Sequence, residues 1–306
     1  MSRYLVTGAA GFVGSHLAEA LLAAGHDVVG VDSFNDYYDP AEKERNAAGL
    51  PELRRLDLAR DPIELDGVDG VFHLAGQPGV RSFGDAFPLY LERNLLATQR
   101  VFEAAAQAGV RVVFASSSSI YGEAETYPTP EETTPHPISP YGLTKLACEH
   151  LARTYATAYG LAAVVVRYFT VYGPRQRPDM FMRRVCDRLL DGGAFELYGS
   201  GEQSRSFTYV GDAVDATIRA LGAPPGSVYN VGGGDEATVN EAIAALERVS
   251  GRRLDVRRID AARGDVSRTK ADVARIAADL GWAPATRLED GLAAMWAWAS
   301  GTVAAA

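Results

Sequence analysis

Tyr141 and Lys145 stand four residues apart in "PYGLTKLACEHLARTY", downstream of an apolar run, "VRVVFASSSS", that ends in serines at 116–119. A helical reading of the tyrosine segment puts residues i and i+4 on one face. An ammonium beside a phenol favours the phenolate, and such a tyrosine is a general base for a substrate hydroxyl near neutral pH. A serine hydroxyl at the end of the preceding strand can hydrogen-bond the same substrate oxygen. The alternative is a surface helix whose tyrosine and lysine are merely neighbours, so the pair gains meaning only from its surroundings.

Those surroundings begin at the N-terminus. "LVTGAAGFVGSHLAEAL" places Gly8, Gly11 and Gly14 between an apolar run and an amphipathic one. The first glycine permits a tight turn, the second a close approach to a pyrophosphate, the third a close fit of helix to sheet. The free amides and positive dipole end of the helix then face the phosphates. The spacing is GxxGxxG, a departure from GxGxxG. The next strand, "DVVGVD", ends in Asp32, where a carboxylate accepts from an adenosine ribose and repels a 2′-phosphate. Strand, turn, helix, strand and acid in this order predict NAD as cofactor, and its oxidised nicotinamide adds a second positive charge beside Tyr141.

The positioning elements follow from periodicity. Continuously apolar β-branched runs ("RYLVTG", "DVVGVD", "VRVVFA", "AAVVVRYF") alternate with helical-period segments. Buried parallel strands under helices on both faces are expected, a doubly wound α/β sheet of the Rossmann type. Gly25 and Gly109 sit where left-handed helix caps would fall. Residues 1–169 are expected to form the dinucleotide-binding domain, with a later segment near 207–233 returning to it. Residues 170–306, richer in proline and arginine, are expected to form mostly a smaller α/β substrate-binding region.

Of 306 residues, 47% are hydrophobic, and the formal charge is -9. The acidic balance argues against coating nucleic acid or an anionic membrane. The two cysteines, Cys148 and Cys186, lack CxxC spacing, and the five histidines lack ligand spacing, so no metal is expected. The opening residues run straight into a strand, leaving no room for a signal peptide, and no apolar stretch reaches membrane-spanning length. A cytoplasmic location is the expectation.

Together these residues resemble the extended short-chain dehydrogenases/reductases, the family of sugar-nucleotide epimerases and dehydratases. The resemblance runs through "TGAAGFVGSHL", "HLAGQPGVR", "RNLLAT", "SSSSIYG", "SPYGLTK", "RYFTVYGPRQRPDM", "GSGEQSRSFTYV" and "LGWAPATRLEDGL". It implies a UDP- or TDP-sugar substrate, tightly held NAD and catalysis by Ser117, Tyr141 and Lys145. By the same resemblance the cofactor would meet Gly8, Gly11, Phe12, Val13, Gly14, Asp32, Asp57, Leu58, Leu74, Ala75, Gly76, Asn94, Ser116, Tyr141, Lys145 and Tyr168. Asp57 also reads as a helix N-cap. The sugar nucleotide would meet Gln77, Arg81, Ser117, Ser118, Ser119, Thr170 and Arg177. Arg205 and Arg268 are expected near the diphosphate, Asp265 at the ribose and Tyr198 at the base. Arg81 could equally pair with an acid. A homodimer through helices near 94–107 and 141–159 is the family's habit.

Within the family, the look-alike 4,6-dehydratases carry Asp and Glu after the catalytic hydroxyl. Here Ser118 and Ser119 stand in those places, so elimination of water lacks its acid and base; Ser119 also departs from the glutamate typical of UDP-glucuronate decarboxylases. "VDSFNDYYDP" and "RYFTVYGP", with Thr170, resemble UDP-glucuronate 4-epimerases. The expected reaction is NAD-dependent 4-epimerisation of UDP-glucuronate to UDP-galacturonate through a 4-keto intermediate. Hydroxyls of Ser118, Ser119 and Thr170 would hold the sugar carboxylate out of the alignment that lets a β-keto acid lose carbon dioxide, unless they merely cap backbone at the strand end. The rival readings are a UDP-glucose or UDP-N-acetylglucosamine 4-epimerase, a decarboxylase, and an NAD-binding regulator without chemistry.

Overall fold

The computed structural model describes residues 1–79, 84–260 and 266–302. The first part of the chain runs β1 (Arg3–Thr7), α1 (Phe12–Ala23), β2 (Asp27–Asp32), α2 (Pro40–Ala47), β3 (Glu52–Arg55), β4 (Gly70–His73), α3 (Phe87–Tyr90), a π-helical turn (Leu91–Leu96), α4 (Ala97–Ala108), β5 (Arg111–Ser117), α5 (Pro140–Tyr159) and β6 (Ala163–Tyr168). It continues through β7 (Val171–Tyr172), α6 (Phe181–Asp191), β8 (Phe195–Tyr198), β9 (Ser204–Ser206), β10 (Thr208–Tyr209), α7 (Val210–Ala220), β11 (Val228–Val231), β12 (Glu236–Thr238), α8 (Val239–Ser250), β13 (Val256–Ile259), β14 (Arg268–Thr269), α9 (Ala274–Leu280) and α10 (Leu288–Ala299).

Seven strands form one sheet in the order β11-β6-β5-β4-β1-β2-β3, and every neighbouring pair is parallel. Parallel strands covered on both faces must be apolar throughout, and β5 and β6 are buried along nearly their whole length. On one face Leu17 and Leu21 of α1 pack with Val214 of α7. On the other, Val101 and Phe102 of α4 and Cys148 of α5 pack over Val112 and Phe114. Because β1 has β2 on one side and β4 on the other, the chain leaves it in both directions. A crevice opens at the carboxyl ends of the strands, where such folds bind ligands.

α5 is placed by local signals. The Ser139 side chain accepts from the Gly142 amide, Pro140 occupies the first turn, and Gly160 ends the helix at φ 71°. The second region pairs β8 with β13, β7 with β10, and β12-β9-β14. Phe195, Leu197, Leu246, Leu292 and Met295 form its core with α6, α8 and α10.

Candidate active site

β1 ends at Thr7 and the chain turns at Gly8, whose φ is 70°, its amide donating to the Val31 carbonyl at 2.7 Å. A Cβ on Gly14 would stand 2.1 Å from the Gly8 carbonyl oxygen, so only glycine lets α1 approach the turn this closely. Gly11 caps α1 with no side-chain acceptor, which leaves first-turn amides available to an anion. At the end of β2, buried Asp32 accepts from the Phe34 and Ala10 amides at 2.9 and 3.3 Å. Gly8, Gly11, Phe12, Val13, Gly14, Asp32, Asp57, Leu58, Leu74, Ala75 and Gly76 all line one cleft over this turn. An uncapped helix N-terminus, a glycine cradle and a carboxylate one strand away form a donor set that fits a dinucleotide. Among the described residues no group of His, Cys, Asp and Glu could hold a metal.

Asp57 is followed by a turn and not by the helix it was read as capping. It lines the cleft, and its Oδ1 accepts from the Ala59 amide at 3.0 Å as a turn cap does. The floor of the cleft, Leu74 to Gly76, hangs from Thr7, whose Oγ1 accepts both the Leu74 and Ala75 amides at 3.1 Å. Asn94 sits in the π-helical turn and is buried. Its Oδ1 accepts from the Gln77 amide at 2.6 Å, and its Nδ2 donates to the Gln77 carbonyl and Thr144 Oγ1. The amide expected at the cofactor therefore fastens the 75–78 loop to α5 and is absent from the cleft wall. Ser116 is at the wall, but its hydroxyl is spent on Glu149 at 2.5 Å. Tyr168 is also at the wall, with its hydroxyl turned to Thr217 at 2.6 Å.

Tyr141 enters from the first turn of α5 and Lys145 follows one turn later. Lys145 is 4% exposed, its Nζ donates to the Ala115 carbonyl at 2.7 Å, and it lies 5.9 Å from the Tyr141 ring centroid. Ser117, at the end of β5, accepts the Ser119 amide proton at 3.2 Å and donates to Ser119 Oγ at 3.1 Å. The strand-end hydroxyl thus caps the following 3₁₀ turn, and its proton is held by a neighbouring serine.

A second cleft adjoins the first, and Tyr37, Tyr141, Tyr168 and Arg177 line both. Ser117, Ser118, Ser119, Thr170, Tyr198 and Arg205 are on the walls of the second. Gln77 is on the first cleft instead, its Oε1 accepting from Arg93 at 2.8 Å. Arg268 is on neither. Side chains alternate along a strand, and the cleft takes its neighbour Thr269. The Arg268 fork is engaged by both oxygens of Glu236 at 2.6 and 2.9 Å, on the face of the small sheet that also carries Ser204. Arg268, with Lys270 adding to it, holds the Glu236 carboxyl at about 2. Arg81 and Asp265 lie outside the described residues. Among the other arginines, Arg184 lines the second cleft, whereas Arg175 pairs with Glu19 and Arg183 with Glu42.

Sequence reasoning singled out neither Lys43 nor Arg93, which both line the first cleft. Lys43 Nζ donates to the carbonyl and Oδ1 of Asn35 at 2.8 and 3.0 Å. Burial pulls its pKa down, and Asp32 opposes that shift. Lys43 lies just beyond the quoted "VDSFNDYYDP", and nothing in spacing turns a helical lysine toward a cleft. Also unforeseen was a buried polar net beneath the strand ends. Glu149 binds Arg167 at 2.7 Å, Arg167 donates to Tyr121 Oη at 2.7 Å, and Tyr121 donates to Asn230 Oδ1 at 2.8 Å.

A model of the NAD dependent epimerase/dehydratase family matches residues 4–232. The chain is 40% identical over 302 residues to the uncharacterized UDP-glucose epimerase YtcB of Bacillus subtilis, covering 95% of each. It is 35% identical over 305 residues to the UDP-glucuronate 4-epimerase of Thermodesulfobacterium geofontis, covering 95% of this chain and 94% of that one. A crystal structure of UDP-glucuronic acid 4-epimerase from Bacillus cereus in complex with UDP-glucuronic acid and NAD superposes with a TM-score of 0.95 at 36% identity, covering 98% of this chain and 100% of that one. The chain belongs to the NAD dependent epimerase/dehydratase family.

Proposed function

We propose that this member of the family is an NAD-dependent UDP-sugar 4-epimerase whose substrate is UDP-glucuronate. The observation that carries the reading is the meeting of two clefts at Tyr141, where the lysine-backed phenol faces the dinucleotide side and the row of strand-end hydroxyls together. NAD, which Gly8, Gly11, Gly14 and Asp32 would hold in the first cleft, would supply the acceptor for a hydride from C4′ of the sugar and its donor to the opposite face of the ketone.

The residues supply the rest. Tyr141 takes the proton of the 4′-hydroxyl as the hydride leaves and gives it back after the ketone has turned. Lys145, fixed by the Ala115 carbonyl, keeps a positive charge beside the phenol. Ser117 exchanges its bond to Ser119 for one to the sugar oxygen. Ser118, Ser119 and Thr170 hold the carboxylate, Arg177 stands by the sugar, and Arg205 and Tyr198 take the nucleotide end. No carboxylic acid follows Ser117, so elimination across C5′ and C6′ lacks its acid and base. The 40% relative named for UDP-glucose supports a second reading, because hydroxyls accept a 6′-hydroxyl as readily as a carboxylate.

Incubating the purified protein with UDP-glucuronate and, separately, UDP-glucose and resolving the products by anion-exchange chromatography tests the reading. UDP-galacturonate from the first is the expected result; conversion of UDP-glucose alone would replace it with the second.

The proposal extends to a homodimer through α4 and α5. Leu96, in the π-helical turn that leads into α4, is 45% exposed, and Leu143 and Tyr159 on α5 are 49% and 68% exposed, large apolar residues along this face. Light scattering of Leu143→Glu beside the unaltered protein checks this: a dimer that becomes a monomer supports it. Two buried, unpaired cysteines and the absence, among the described residues, of a helix long and apolar enough to cross a membrane support a cytoplasmic enzyme.

A further inference from the structure

Arg177 is gripped along one edge. Asp179 Oδ1 accepts from its Nε at 2.9 Å and Oδ2 from its Nη2 at 3.1 Å. Nη1 has no protein partner among the described residues. The arginine side chain is 21% exposed, on the wall shared by both clefts. A guanidinium is a rigid planar fork, so holding one edge fixes the direction of the other. Asp179 Oδ2 has a second donor, the Tyr37 hydroxyl at 3.2 Å, which comes from the loop after β2 that walls the dinucleotide cleft.

We propose that Asp179 is a positioning residue: it aims the free Nη1 edge of Arg177 at the sugar beside Tyr141, and Tyr37 fixes Asp179 in turn. The inference deepens the UDP-sugar reading above and rests on it for the place of the sugar. Burial of Arg177 works against its charge, and the Asp179 carboxylate outweighs that penalty, with smaller help from Tyr37 and Tyr141. Asp179 touches no reacting atom under this assignment; its effect passes through Arg177.

A mutant cycle separates aiming from mere support. With the NAD-loaded protein, Asp179→Ala is expected to lower kcat/KM for the UDP-sugar by on the order of 10²-fold, the loss that misplacement of a positioning group produces. Bound NAD is expected to be unchanged, and the melting temperature to fall, because Arg177 loses the carboxylate that offsets its burial. The double variant Arg177→Ala/Asp179→Ala should then match Arg177→Ala to within about twofold, since residues that act as one unit do not add. Tyr37→Phe is expected to lose a few-fold in the same direction, and Asp179→Asn, which keeps one acceptor, to fall between Asp179→Ala and the unaltered protein. Losses that multiply, or an Asp179→Ala protein as active as its parent, would overturn the inference. Should Asp179→Ala fail to fold, Asp179→Asn takes its place in the same cycle. The cycle read as the dissociation constant of UDP-glucuronate, by calorimetry, needs no turnover. A protein that binds the nucleotide sugar without epimerising it therefore sinks the functional reading while leaving this one to be decided.

Discussion

The Thr7 hydroxyl donates its proton to His73 Nδ1 across 2.7 Å. The direction follows from counting: Thr7 Oγ1 already accepts the Leu74 and Ala75 amides, so its own hydrogen must go to the ring. Nδ1 is then an acceptor, and Nε2 donates to Thr98 Oγ1 at 2.9 Å. A second proton on the ring would force Thr7 to drop an amide that holds the cleft floor. Burial lowers the His73 pKa to about 3, with the Lys145 charge pushing the same way.

A pH dependence follows. The native ring binds a proton only below about 3, whereas the unfolded ring does so below its ordinary 6.5. Between those values the unfolded chain holds more protons, so native stability falls as pH is lowered through the window. His73→Phe removes that contribution. It is expected to cost about 1–3 kcal/mol at pH 7 through the orphaned hydroxyls, yet to lose less than the parent between pH 6.5 and pH 4. Scanning calorimetry across that range checks it; parallel curves for the two proteins would contradict the assignment.

The glycine turn gives a sharper geometric test. At Gly14 a methyl group meets the Gly8 carbonyl oxygen, a backbone atom that cannot step aside cheaply. Gly49 has nothing within 4 Å of the same added atom. Gly14→Ala is expected to purify with little or no NAD, and Gly49→Ala with the parent's content, read from the absorbance of nucleotide released by heating. Equal loading of both would mean that α1 can retreat without harm to the phosphate cradle.

What the chain discloses before folding depends on whether a signal is local. The glycine turn, Asp32 and the Tyr141–Lys145 pair declare themselves because spacing along one strand or helix determines their geometry. Arg268 faces Glu236 while its neighbour Thr269 lines the second cleft, and a two-residue strand gives no periodicity from which to set that phase. Asn94 could be named from the sequence, but not as the fastener of the 75–78 loop, since its partners Gln77 and Thr144 lie 17 and 50 residues away. Lys43 and Arg93 reach the cleft through tertiary placement of α2 and the π-helical turn, which composition does not encode. The position of β11 beside β6 is equally a matter of strand order, invisible to hydropathy.

The ion pair between Glu149 and Arg167 lies under that site with side chains 6% and 8% exposed. Removing one partner leaves a buried charge unmatched, at a cost of about 3–5 kcal/mol, whereas replacing both with apolar groups can be nearly neutral. Glu149→Leu is expected to lower the urea midpoint more than Glu149→Leu/Arg167→Leu does. A double variant less stable than the single one would show that the pair's value lies in its links to Ser116 and Tyr121 rather than in mutual neutralisation.

Tyr141→Phe removes the proton acceptor and leaves the walls of both clefts intact. Turnover of the UDP-sugar is expected to fall by about 10²–10⁴-fold, the usual worth of a positioned acid–base group. NAD content and the dissociation constant for UDP-glucuronate should stay within a few-fold of the parent. Undiminished turnover would move the chemistry to another residue altogether.

The hydroxyls beside it carry the last prediction. A 4-ketohexuronate is a β-keto acid, and carbon dioxide departs when the C5′–carboxylate bond lies parallel to the carbonyl π orbitals. Restraint by hydroxyls adds no further acid that could protonate the resulting enolate, and Ser118 and Thr170 are on the wall of the second cleft. Ser119 is less free, since its Oγ accepts from Ser117 and its amide donates back. Thr170→Val, nearly isosteric, is therefore expected to raise the share of UDP-pentose among the products while epimerisation continues, and Ser118→Ala to do the same. Loss of one hydrogen bond worth about 0.5–1.5 kcal/mol corresponds to a roughly two- to tenfold change in that ratio. Chromatography of products from UDP-glucuronate resolves the two fates. A ratio unmoved by either substitution would assign these hydroxyls to the backbone at the strand end, leaving the carboxylate to be held by Arg177 alone.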